Sequence, residues 1–209
     1  MTKMLLLACG NPLRGDDAFG LHLAAAARER FAPEQLRVLA AQQWTPEMAA
    51  EIAHARVVVF ADAAVTSPAG EVVLTLLEPE TEPELERTQA MQCASVLRAS
   101  HHMTPEHLLA CAQAWYGRQP LRAYLLAAGA VTLECTEELS PRMREHALPF
   151  ALAMLERLLD CERGSVCEGS PGRQKTSFAA FQGKARYSSR HEPKTKSAHD
   201  SCGAGCLLS

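Results

Sequence analysis

The stretch Val57 to Ala61, VVVFA, is apolar at every position, rich in β-branched residues, and runs straight into Asp62. A strand of this kind offers no face to water and has to be covered on both sides, which is the condition of strands in parallel sheets sandwiched between helices. The segment Lys3 to Cys9 is a second continuous apolar run. It is followed by a Gly10-Asn11-Pro12 turn and then by apolar residues at helical spacing from Ala18 to Phe31, a strand, loop and helix in succession.

The same alternation continues down the chain. Gln35 to Ala41 reads as a second strand, and Thr45-Pro46 supplies an N-cap and a first-turn proline for a helix over Glu47 to Ala55. After the turn at Pro68 to Gly70, Glu71 to Leu77 reads as a strand and the glutamate-rich Glu78 to Glu86 as exposed loop or helix. Thr104-Pro105 opens a helix over Glu106 to Tyr116, with Leu108, Leu109, Ala112 and Trp115 as its apolar stripe and Gly117 as its stop. Leu121 to Ala127 is a last strand. Ser140-Pro141 then starts a helix reaching about Asp160, in which Pro149, lacking a backbone donor, predicts a kink. The fold class expected is α/β: a three-layer αβα sandwich around a mostly parallel, twisted sheet of about five strands with helices on both faces.

At 209 residues the chain has room for one domain of ordinary size. Residues 1–162 carry 13 basic and 21 acidic side chains, a net charge of −8, whereas residues 163–209 carry 8 and 3, a net of +5. That second segment is dominated by Ser, Gly, Lys, Arg and Gln with isolated aromatics, too little apolar surface to offset the entropy of ordering. The expected organisation is therefore an α/β domain over 1–162 and a disordered basic tail over 163–209. No apolar run approaches the roughly 20 residues of a membrane span. The eight cysteines, among them Cys9, Cys93, Cys111 and Cys135 within apolar segments, read as reduced core thiols of a cytoplasmic protein. Without a heptad pattern a monomer is expected, and neither nucleic acid nor membrane is expected as a partner.

Three polar sites fall on the proposed carboxyl edge of the sheet, where open α/β sheets bind their ligands: Asp16-Asp17 after the first strand, Asp62 after the third, and His101-His102 before the Thr104 helix. Two carboxylates and an imidazole suit a divalent transition metal such as nickel or zinc, and the same groups can polarise a water. Each has a plainer explanation taken alone. Aspartates at a helix start cap the backbone, an aspartate after a strand opens a turn, and adjacent loop histidines are usually solvated. The loop CGNPLRGDD lacks both the GxGxxG spacing and the GK[ST] ending of nucleotide loops.

Taken together these segments resemble a known family. LLLACGNPLRGDDAFG resembles the GNxLxxDDGxG signature of the hydrogenase maturation endopeptidases, VVVFADAA their second acidic site, and ASHHMTPEHLL their histidine loop. The resemblance spans about residues 4–160. Ala18 stands where a glycine is usual, and AAQQWTP replaces a glycine-rich loop after the second strand. It implies Asp17, Asp62 and His101 as the metal-contacting and catalytic trio, with Asp16 supporting the first loop and Gly10 and Asn11 shaping it. The implied reaction removes a C-terminal peptide from the precursor of a [NiFe] hydrogenase large subunit. Nickel would be carried by that substrate, and zinc or cadmium could take its place in vitro. The competing readings are a nickel- or hydrogenase-binding accessory protein that does not cleave, and an unrelated small α/β hydrolase or nucleoside-binding enzyme, for which no nucleophile motif is present.

Overall fold

The computed structural model describes residues 2–77 and 103–163. Five strands form one sheet: β1 (Thr2–Cys9), β2 (Leu36–Ala41), β3 (Ala55–Ala64), β4 (Val72–Leu77) and β5 (Arg122–Gly129), in the order β2-β1-β3-β5-β4. All neighbours are parallel except β4, which runs antiparallel to β5 at one edge. The mostly parallel α/β sheet expected from the apolar strands is thus present. Among the described residues four α-helices accompany it: α1 (Phe19–Arg30), α2 (Ala49–Ala53), α3 (Pro105–Tyr116) and α4 (Leu148–Glu162).

The helices pair as two layers, α1 against α4 and α2 against α3. Strand alternation feeds both. Leu5, Leu7, Val58 and Phe60 pack with Ile52, Leu108 and Ala112 on the α2/α3 face. Their alternates Met4, Leu6, Val57 and Val59 are equally buried. Central strands with no polar residue to spare for solvent follow directly from these two covers.

Several bounds differ from the sequence reading for local reasons. β3 runs on through Ala63 and Ala64, which pair with Ala128 and Gly129 of β5, so Asp62 lies within the strand and not beyond its end. Only Ala49–Ala53 of the second predicted helix is α-helical, preceded by a 3-10 turn at Pro46–Met48. Ahead of Pro149 the expected distortion takes the form of a π turn over Met143–Ala147, which widens the helix just where the proline can return no N–H to the preceding turn. Thr104 caps α3 as expected, its Oγ1 accepting the His107 N–H at 3.3 Å, and Gly117 ends it with φ +64°. Cys9 and Cys111 are buried free thiols, but Cys135 is exposed, because Leu133 to Thr136 belong to a loop and not to the core. Cys93, the glutamate-rich segment 78–86 and the tail from residue 164 lie outside the described residues. No helix among the described residues is long and apolar enough to cross a membrane.

One close approach sets the site. A Cβ on Gly20, in the first turn of α1, would run into the Cys9 carbonyl oxygen and come within 2.7 Å of that of Ala61. Helix α1 therefore rests directly on the ends of β1 and β3. Gly20→Ala gains helix propensity but forces this contact apart. A net loss of about 2–3 kcal/mol is expected, seen as a fall in Tm of roughly 4–12 °C by scanning calorimetry.

Candidate functional site

Strand β1 sits between β2 and β3, so the chain leaves it toward one side of the sheet and returns on the other. The carboxyl ends of β1 and β3 flank this switch point, the place where such sheets hold ligands. The loop after β1 and the end of β3 deliver Asp17 and Asp62 there.

The loop is built by its own backbone. The Asn11 side-chain oxygen accepts the Leu13 N–H at 3.0 Å, and the Asn11 carbonyl accepts that of Arg14 at 3.2 Å, turning the chain. A 3-10 turn follows at Gly15–Ala18. Asp17 then returns to the start of the loop, where its carboxylate accepts the Asn11 N–H at 3.3 Å. Gly10 is required by the same closure, since a Cβ there would strike the Asp17 carbonyl. The glycine and asparagine of the sequence motif thus serve to bring Asp17 back over the strand end.

The two adjacent aspartates do different work, and neither caps α1, whose N-cap Ala18 has no side-chain bond. Asp16 is fully buried. Its Oδ2 accepts the N–H groups of Val131 at 2.8 Å and Thr132 at 3.0 Å and the Ser140 hydroxyl at 2.9 Å. Its Oδ1 accepts the Ser140 N–H at 2.7 Å. Gly15 N–H donates to the Thr136 carbonyl at 2.8 Å beside it. Asp16 is thus the anchor that ties the loop after β1 to the segment 131–140 after β5, a stronger form of the supporting role the family resemblance implied. Ser140 serves twice, as this anchor's partner and as acceptor for the Met143 N–H at 3.4 Å. The sequence showed it only as a helix start.

Asp62 is half-buried on β3, and its Oδ1 accepts the Ala63 N–H at 2.8 Å. Desolvation lifts its pKa from 3.8 to about 6. Hydrogen bonds from the Cys9 thiol and from the Ala63 N–H hold it down in part, while the negative charge of Asp17 adds to the rise. Burial, with the nearby Asp62 and Asp17 carboxylates, pushes the Cys9 thiol well above its ordinary range, so it stays protonated. Cys9 was assigned to the core from sequence. It is buried there as expected, and it also stands beside Asp62, because the register pairs Ala8 with Ala61.

His101, the third member of the expected trio, lies outside the described residues together with His102. Among the described residues, no group of three or more His, Cys, Asp or Glu side chains is placed to hold a metal ion. Asp17 and Asp62 are brought to the same edge of the sheet. Helix α3 leads into the start of β5, which is parallel to β3, so the first turn of α3 lies toward this same edge.

A mostly parallel sheet with helices on both faces and an acidic pair at its switch point places the chain among the open-sheet α/β domains. Within that class, the fold is shared with solved structures of hydrogenase maturation peptidases. The hydrogenase 2 maturation peptidase from Thaumarchaeota archaeon SCGC_AB-539-E09 superposes with a TM-score of 0.52 at 23% identity, over 75% of this chain and 97% of that one. The [NiFe] hydrogenase maturation protease HycI from Thermococcus kodakarensis KOD1 gives 0.53 at 22% identity, over 75% and 92%. The hydrogenase maturating endopeptidase HybD from E. coli gives 0.53 at 22%, over 78% and 94%. No family model matches the sequence, and no curated protein is significantly similar to it. The likeness is one of fold.

Proposed function

We propose that this chain is an endopeptidase that removes a C-terminal peptide from the nickel-loaded precursor of a [NiFe] hydrogenase large subunit. Asp17, Asp62 and His101 recognise the nickel that this substrate carries. The observation that carries the reading is the acidic pair at the switch point of a sheet shared with three solved maturation peptidases.

The roles follow from the chemistry of the groups. Oxygen and imidazole donors accept nickel, and zinc or cadmium would be held by the same donors in vitro. A cation at the scissile carbonyl withdraws charge from it and stabilises the developing oxyanion. The Asp62 carboxylate, at the same strand end, would take a proton from an attacking water and return it to the leaving amine. Asp17, tied to the loop backbone through Asn11, is held in place while it contacts the cation.

Purified protein incubated with nickel-loaded precursor is expected to shorten it at the C-terminus, as read by mass spectrometry, and to leave nickel-free precursor intact. Asp17→Asn and Asp62→Asn should each lower the rate by about 10²–10⁴-fold while the circular dichroism of the domain is unchanged. Normal processing by either variant would sink the proposal. Binding of the loaded precursor without cleavage would instead identify a non-cleaving accessory protein.

A further inference from the structure

Cys9 is the last residue of β1, and the pairing of Ala8 with Ala61 sets it beside Asp62 of β3. Alternation sends Leu5, Leu7 and Cys9 to the α2/α3 face, as it does Val58 and Phe60, and hence Asp62 two residues on. Leu7 pairs with Phe60, and the next rung on this face sets a thiol against a carboxylate. The core thus ends with the Cys9 thiol beside the Asp62 carboxylate, an adjacency that helps to hold the carboxyl's pKa down. The Ala63 N–H donates to Asp62 as well, at 2.8 Å. A carboxylate with two fixed donors presents its remaining lone pairs in one direction, whereas one donor leaves it free to rotate.

We propose that Cys9 is a positioning residue of the acidic site, which by donating its S–H to Asp62 aims that carboxylate at the cation carried by the substrate. This rests on the reading of Asp17 and Asp62 as the cation-recognising pair. A valine would serve the packing at this strand end but would leave Asp62 one donor short. The chemistry that matters at position 9 is therefore the donor and not the apolar volume, and serine should replace cysteine where alanine cannot.

Two measurements on the full chain test this. The first is metal-free: the infrared S–H stretching band that disappears in Cys9→Ala is expected to shift in Asp62→Asn. The second titrates Zn²⁺, as the probe cation, into wild type, Cys9→Ala and Cys9→Ser by competition with a chromophoric chelator. Cys9→Ala is expected to bind about 10–100-fold more weakly, the usual loss when a ligand's supporting partner is removed, and Cys9→Ser to recover most of it. A band unmoved by Asp62→Asn would overturn the contact. Equal zinc affinity in wild type and Cys9→Ala would overturn the positioning role alone. A wild type that binds no zinc would instead remove the cation-recognition reading and this proposal with it.

Discussion

Asp16→Ala is expected to cost the domain about 3–5 kcal/mol, a large share of the 5–15 kcal/mol that holds a domain of this size together. The side chain is fully buried and accepts four hydrogen bonds, three from backbone N–H groups and one from the Ser140 hydroxyl. Removing it strands all four donors, and each buried unpaired donor costs about 1–3 kcal/mol before relaxation or water entry reduces the sum. Asp16→Asn keeps the volume but turns an amide NH₂ toward backbone N–H groups, which can only donate, so it should recover little. The expected fall in Tm for the alanine variant is roughly 6–20 °C. Asp17→Asn provides the contrast. Asp17 accepts a single backbone bond at 3.3 Å, and its loss should leave the urea midpoint close to wild type. An Asp16→Asn protein as stable as wild type would show that the anchor is not what holds the loop.

Asp62→Asn should do the reverse, making the metal-free protein more stable while removing its proposed activity. Asp62 titrates at about 6 in the folded chain against 3.8 for the free group, chiefly through desolvation. A carboxyl whose folded pKa is raised favours the folded state fully below its unfolded pKa and loses that contribution as the pH climbs through the folded value. Wild type and Asp62→Asn should therefore be similar near pH 4 and diverge between about pH 4 and 6. Above that the variant should stay ahead by at most about 3 kcal/mol, the equivalent of the two-unit shift. Thermal melts of both proteins across this range read the difference directly. A gap that is constant with pH would mean that the charge on Asp62 is not what destabilises the folded state. Sites that hold an uncomfortable charge for function commonly give up stability in this way.

Much of the fold was legible because its central strands are extreme. VVVFA and MLLLAC admit no solvent-facing side, and each is followed by turn residues and a helical pattern, which leaves a helix-covered parallel sheet as the natural outcome. The strand ends were less legible. Ala63 and Ala64 carry no strong preference, and only the presence of Ala128 and Gly129 alongside them extends β3 past Asp62. Within the candidate site, Asp17 and Asp62 could be placed at the sheet edge from the order of elements alone. The division of labour between Asp16 and Asp17 could not, because two identical neighbours differ only in what they meet. The partners of Asp16 lie more than a hundred residues away, in a loop with no pattern of its own. The second neighbour of Cys9 was hidden for a related reason: a cysteine closing an apolar strand reads as packing, which it is, and only the register sets a carboxylate beside it as well.

The bonds from Asp16 to Ser140 join residues 124 positions apart. Loop closure over such a distance comes late in folding, after local helices and neighbouring strands have formed. A ribosome-bound chain that has exposed β1, α1 and β3 already possesses both acidic residues, yet lacks the tether that fixes the turn carrying Asp17. The acidic edge acquires its final shape only when the segment leading into α4 has been synthesised and docked, so a truncated or half-made chain displays the right residues without the arrangement that gives them meaning.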